Sequence, residues 1–147
     1  MLLPFTEDLV LTSAADAEMA ILPDRHYSRL RRGRRQFLYA GRKLVIRNSE
    51  GTILFGWLWE LEGMRMDQQR GYCCSIFRNE SSRLSSDVIL EAERIARQHW
   101  GPSRMFTYVD PAKIRSVNPG YCFKVAGWHF VHRTRDGKHL LVKERAA

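Results

Sequence analysis

The densest chemistry in this chain lies at residues 25–35, Arg25-His26-Tyr27-Ser28-Arg29-Leu30-Arg31-Arg32-Gly33-Arg34-Arg35. Six arginines (Arg25, Arg29, Arg31, Arg32, Arg34 and Arg35) stand beside a histidine, a tyrosine and a serine. Guanidinium forks match phosphate oxygens with a two-point geometry that lysine lacks, and a tyrosine ring offers a surface on which a displaced base can stack. A histidine in such a cluster has its charged form disfavoured. His26 is therefore expected to be neutral near pH 7 and able to take a proton, for example from an exocyclic amine. The same stretch reads equally as a solvated surface loop.

Further residues stand where strands are expected to end. Tyr108 and Asp110 close an expected strand, and in open α/β sheets the carboxyl ends of strands face the ligand crevice. Asp110-Pro111 reads also as a turn initiator. Tyr121 falls in the first turn of a short helix, as a site residue or a plain core tyrosine. Trp57 and Trp59 share one strand face, which favours core packing over a base-stacking platform. His129 and His132, at odd spacing in one strand, are expected on opposite faces. His99 sits at a helix C-terminus, where the dipole accounts for it.

The elements that must position these groups follow from periodicity. Residues 7–12 read as a strand and 14–22 as a helix capped by Ser13. Strands follow at 36–40, 43–47 and 52–60, the last two joined by a turn at Asn48-Ser49-Glu50-Gly51. Residues 72–78 form a short apolar run, expected as a buried central strand. Val88, Ile89, Ala92, Ile95, Ala96 and Trp100 make one stripe of a helix over 86–100. Ser85 or Ser86 is its expected cap, with Glu93 and Arg97 paired on the other face. Gly101-Pro102 stops it. A strand at 104–109 precedes a short helix started by Asn118-Pro119 and ended at Gly127. A hairpin, 128–134 and 139–144, closes the chain. This order predicts an α/β (α+β) single domain over 1–147, with a central mixed, twisted sheet and helices on both faces.

Composition agrees. The 147 residues are 44% hydrophobic and 27% charged, which is globular and excludes a wholly disordered chain. The 24 Lys and Arg against 16 Asp and Glu leave a formal +8, which favours a polyanionic partner. Cys73, Cys74 and Cys122 make no even disulfide framework and no zinc spacing, and read as free thiols of a reducing compartment. No stretch approaches the roughly 18 apolar residues of a membrane span, so a soluble, cytoplasmic protein is expected.

The order of elements resembles the acyl-CoA N-acyltransferase (GNAT) fold, in which a central strand leads through a phosphate-cradling loop into a long helix. The corresponding parts are 72–78, 79–85 and 86–100. The resemblance implies acyl-CoA, most simply acetyl-CoA, held at the helix N-terminus by Arg78, Asn79, Ser85, Ser86 and Asn118. The loop departs from the family pattern, with no glycine and with Glu80 beside the expected anion. A narrower resemblance is carried by Asp24-Arg25-His26-Tyr27-Ser28, by Phe77-Arg78-Asn79-Glu80, and by Phe106-Thr107-Tyr108-Val109-Asp110-Pro111 running on through Asn118-Pro119-Gly120-Tyr121-Cys122-Phe123-Lys124 to Ala126-Gly127-Trp128. These stretches resemble the phage and prophage proteins related to the Mom DNA-modification protein.

That resemblance implies adenine hypermodification in double-stranded DNA as protection against restriction. It implies His26, Tyr27, Ser28, Tyr108, Asp110 and Tyr121 as catalytic candidates, and the six arginines of 25–35 as DNA contacts. It also raises a bound iron, held in part by His26 and Asp110. His26 or Asp110 would serve as base, and Tyr121 or Tyr108 as acid or hydrogen-bond donor. Two other readings remain open: an acetyl-CoA-dependent N-acetyltransferase of a small amine or a protein, and a non-catalytic basic DNA-binding module.

Overall fold

A single buried asparagine fixes the first hairpin. Asn48 Oδ1 accepts the amides of Thr52 and Ile53, both at 2.9 Å, and its Nδ2 donates to Thr52 Oγ1 at 2.7 Å. Gly51 closes the turn by donating to the Asn48 carbonyl at 3.2 Å. The strands so joined are β2 (Arg42–Asn48) and β3 (Ile53–Trp59). The computed structural model describes residues 9–13, 41–61, 63–113 and 118–145. The helix expected at 14–22 and the strand expected at 36–40 lie outside the described residues.

Within them the chain runs β1 (Leu9–Thr12), β2, β3, β4 (Tyr72–Asn79), α1 (Ser85–Trp100), β5 (Met105–Val109), a 3-10 turn (Pro111–Lys113), α2 (Tyr121–Val125), β6 (His129–Arg133) and β7 (His139–Lys143). The described strands make one sheet in the order β1-β2-β3-β4-β5-β7-β6. Each neighbouring pair is antiparallel except β4 and β5. A parallel pair needs a crossover, and α1 supplies it. The expected mixed sheet, with 72–78 at its centre, is the one observed.

Alternation along the strands sends residues to two faces. On one, Phe55, Trp57, Tyr72, Cys74, Met105, Val109 and Leu141 pack under Val88, Ile89, Ala92 and Ala96 of α1 and Phe123 of α2. On the other, Leu58, Cys73, Phe106, Leu140 and Val142 are equally buried. Trp57 is core, as expected: its indole donates to the Ala92 carbonyl at 2.9 Å. Trp59 packs on Tyr72 and Trp100. The cysteines are free; burial pushes the Cys73 thiol up to about 11, lifts Cys74 well above its usual range, and raises Cys122.

Three expectations need correction. The cap of α1 is Leu84, with no side-chain cap bond, because the Ser85 hydroxyl accepts from Asn79 instead. Glu93 does lie within 3.6 Å of Arg97, yet it is fully buried and not on a solvated face. It accepts the Trp128 indole at 3.0 Å and pairs with Lys143 at 2.7 Å. Finally, the register of β6 slips between Phe130 and His132, so His129 and His132 stand opposite Val142 and Leu140. Those partners are two residues apart, which puts both histidines on the same face.

The Glu93 arrangement yields a stability test. Removing one partner of a buried pair strands the other, so Glu93→Ala is expected to cost about 3 kcal/mol by urea denaturation. The double replacement Glu93→Met with Lys143→Met should recover most of that loss. Equal destabilisation by both variants would show that the pair is not what anchors β7 to α1.

Candidate active site where two parallel strands part

β4 and β5 pair over three residues only: Tyr72 with Met105, Cys73 with Phe106, and Cys74 with Thr107. Beyond that point β4 continues to Asn79 against β3, and β5 continues to Val109 against β7. The strands therefore part, and among the described residues the β5-facing backbone edge of 75–79 has no strand opposite it. Thr107 fastens the apex, its Oγ1 donating to the Cys74 carbonyl at 2.8 Å. The base is held by the Tyr72 amide on the Arg104 carbonyl, at 2.9 Å. Gly71 is required there: at φ +103°, a Cβ would come within 2.0 Å of the Arg104 oxygen. Ser75 falls out of register between the pairs Trp57–Cys74 and Gly56–Ile76, and this bulge bends β4 as it leaves β5. A crevice at the carboxyl ends of strands is where open α/β sheets take ligands. On its helix side stand Phe77 and Phe123, with ring centroids 6.0 Å apart.

One mouth of the crevice is the loop leading into α1. Asn79 organises it. Its Nδ2 donates to the Arg83 carbonyl at 2.8 Å and to Ser85 Oγ at 3.0 Å, while its Oδ1 accepts the Ser81 amide at 3.0 Å and the Ser81 hydroxyl at 2.6 Å. Ser81 Oγ in turn accepts the Arg83 amide at 3.2 Å. Arg83 turns back to Glu91 at 2.9 Å, and Arg78 meets Glu80 at 3.0 Å. The first turn of α1 begins with Asp87 and Val88 donating to the Leu84 carbonyl. The amides of Leu84, Ser85 and Ser86 donate to no acceptor among the described residues.

On the opposite face, the β3–β4 loop reaches Tyr108, the first residue of β5 beyond the paired segment. Arg65 grips Asp67 with two bonds, Nε to Oδ1 at 2.8 Å and a terminal nitrogen to Oδ2 at 2.7 Å. The Gln69 amide adds a bond to Asp67 Oδ1 at 3.0 Å, and Tyr108 Oη donates to Oδ2 at 2.9 Å. The Arg65 guanidinium lies over the Phe106 ring, 4.9 Å from its centroid. Burial alone would raise the Asp67 carboxyl, but the bonds from Arg65, the Gln69 amide and Tyr108 carry it down to about 2. Burial, followed by the bond to Asp67, drives the Tyr108 phenol well above its ordinary range.

The remaining candidates divide. Asp110 serves as the turn initiator: its carboxylate accepts the Ala112 amide at 3.0 Å and its carbonyl accepts Lys113. Tyr121 opens α2, is 61% exposed, and its hydroxyl engages no described residue. Asn118 is not the side-chain cap expected of it; the cap is Gly120 in the left-handed conformation, and Asn118 Oδ1 accepts Lys124 Nζ at 2.5 Å. His26, Tyr27 and Ser28, with Arg25, Arg29, Arg31, Arg32, Arg34 and Arg35, lie outside the described residues. Sequence reasoning missed Asp67, Arg65, Ser75 and Thr107. An Arg-x-Asp step in a polar loop is no motif, and a bulge leaves no mark in composition.

No protein-family model and no curated protein matches this chain. Among solved structures, a protein of Bordetella pertussis described as a GnaT-family acetyltransferase superposes with a TM-score of 0.56, over 99% of this chain and 100% of its own. Sequence identity is 13%, so the likeness concerns the fold. The fold is GNAT-like: a mixed sheet whose central strands part beside the long helix. It supports no closer kinship with the Mom-type proteins.

That fold implies acyl-CoA, and the residues fit it at one point. Three unengaged amides at the positive end of α1 suit a pyrophosphate. Arg78, expected to help, is held by Glu80, and the neighbouring Arg83 by Glu91, so the fit is carried by backbone. Of the two residues expected to hold iron, His26 lies outside the described residues, and among the described residues no group of three or more His, Cys, Asp or Glu could hold a metal ion.

The Asp67 clamp sets a pH dependence. With its carboxyl at about 2 when folded against 3.8 ordinarily, its contribution to stability is present above 3.8 and is lost as pH falls toward 2. Wild type is expected to be more stable than Asp67→Asn near neutrality. Urea midpoints of the two should converge across that acidic window; parallel curves would show that the carboxylate is not held by Arg65.

Proposed function

We propose that this protein is an acyl-CoA-dependent N-acyltransferase whose acceptor is an amine presented by a polyanion. The exocyclic amine of adenine in double-stranded DNA is the first candidate. The observation that carries the reading is the crevice left where β4 and β5 part after Cys74 and Thr107, with the unengaged amides of Leu84, Ser85 and Ser86 at one mouth. When bound, acyl-CoA supplies a thioester carbonyl open to attack by a neutral amine. The α1 amides hold the phosphates, and the edge of 75–79 that faces away from β3 lies along the crevice for the acyl arm. Tyr121, exposed at the start of α2, is the candidate acid for the departing thiolate.

The acceptor is argued from charge. A net +8, with six arginines crowded into 25–35, favours phosphate, and such binding weakens steeply with salt. A base inside a duplex is out of reach unless flipped, a role in which Tyr27 can fill the gap and His26 can take the amine proton. On this reading the protein is a phage- or prophage-encoded enzyme whose product shields DNA from restriction. A second reading, acetylation of a small amine or a protein, is favoured by the likeness to a protein described as a GnaT-family acetyltransferase.

Thiol release from acetyl-CoA, measured with duplex DNA and with an amine panel, tests both. Wild type is expected to release thiol, and Tyr121→Phe to lower kcat about 100-fold. Nucleoside mass spectrometry of DNA from expressing cells should show a new adenine species that His26→Ala abolishes. Turnover on amines with unmodified DNA selects the second reading. Salt-sensitive DNA binding with no thiol release overturns acyl transfer and leaves a binding module.

A further inference from the structure

The crevice is a gap in a sheet, so it opens onto two faces, and they are differently furnished. The helix face carries the α1 amides, Phe77 and Phe123. The other face carries Tyr108, packed against the cluster that includes Cys73 and Phe106, and bonded to the Arg65–Asp67 clamp. A thioester and an amine that meet in such a gap approach most directly from opposite faces, and the face away from the helices is then the acceptor's.

The β3–β4 loop is built to hold something at that face. Met64 and Met66 point outward, 71% and 101% exposed, while the alternating Arg65 and Asp67 turn inward with side chains 16% and 28% exposed. Turns at Leu61–Met64 and Arg65–Gln68 fix the loop's path, and Gln68 takes a left-handed conformation at φ 60°. Arg104 braces the far side, donating to Gln69 Oε1 at 2.9 Å and to the Arg70 carbonyl at 2.8 Å. Both members of the inward pair end on β5, Asp67 on the Tyr108 hydroxyl and Arg65 over the Phe106 ring.

We infer that Asp67, clamped by Arg65, is a positioning residue that engages the hydroxyl hydrogen of Tyr108 and fixes its oxygen on the acceptor side of the crevice, so that Tyr108 orients the incoming amine as a neutral phenol and is not the acid. This rests on the acyl-transfer reading above. Tyr108 Oη donates to Asp67, and a phenol has one proton to give. Among the described residues the ionisable groups facing it are Asp67 and Arg65 from the loop and Cys73 from β4, whose thiol, pushed up to about 11, ionises before the phenol and helps to hold the phenol's proton on. Asp67→Asn removes the carboxylate and leaves the Arg65 cation uncompensated beside the phenol. Both changes favour tyrosinate.

The test joins an alkaline absorption titration of tyrosinate with steady-state kinetics, on wild type, Tyr108→Phe, Asp67→Asn and Asp67→Glu. Circular dichroism defines the pH range over which each stays folded. The late-ionising tyrosine missing from Tyr108→Phe should ionise with an about ten-fold larger constant in Asp67→Asn, and return in Asp67→Glu. With acetyl-CoA and either a duplex oligonucleotide or tryptamine, Asp67→Asn should raise the KM for the acceptor about ten-fold and leave that for acetyl-CoA unchanged. An unmoved Tyr108 titration, or an equal rise in both KM values, overturns the positioning role. Failure of wild type on both acceptors overturns acyl transfer instead, and the titration then decides Asp67's hold on Tyr108 by itself.

Discussion

Three residues of parallel pairing join the two halves of this sheet. On one side β1 to β4 form an antiparallel run; on the other β5, β7 and β6 form a second. Cys74 and Thr107 are the last residues at which the halves touch through strand pairing, and the Thr107 hydroxyl secures that contact. A longer pairing would close the crevice, and a shorter one would leave α1 alone to hold the halves together. The bulge at Ser75, the close approach at Gly71 and the turn of Asn79 into α1 all serve this short contact. Each sits at one end of the paired segment or just beyond it.

Most of the architecture was legible because period and turn chemistry agree within the chain. The long helix, the Asn48–Gly51 hairpin, the apolar central strand and the closing hairpin each carry both signals, and each lies within a residue or two of where it was read. What escaped depends on contacts between segments distant in sequence. Glu93 falls in angle inside its own apolar stripe, four residues after Ile89 and three before Ala96; its side-chain type hid what its position stated. The odd spacing of His129 and His132 implied opposite faces only for a regular strand, and one extra residue in β6 reversed the parity.

The candidate site was legible in part for the same reason. Tyr108 and Tyr121 lie where they were expected, near a strand end and at a helix start, because both features are visible in sequence. Asp110 and Asn118 were placed in the same region, but the Asp110 carboxylate accepts a local turn amide and Asn118 Oδ1 accepts Lys124. The loop before α1 shows why lists of cationic residues mislead: Arg78 and Arg83 both face carboxylates, and what remains for an anion is backbone. Asp67 could not be picked out at all, since its partner Tyr108 lies 41 residues away.

The slipped register of β6 has a consequence for the molecule's surroundings. Among the described strands β6 lies at the rim of the sheet, exposed along its whole length, and shows Phe130 and Val131 to solvent. A flat rim of that kind templates the addition of a foreign strand, and with it fibrillar association. The extra residue twists the rim and breaks its regular spacing of donors and acceptors, so that an incoming strand loses register partway along. The irregularity that brings two histidines to one side thus also guards the chain against sticking to its own copies.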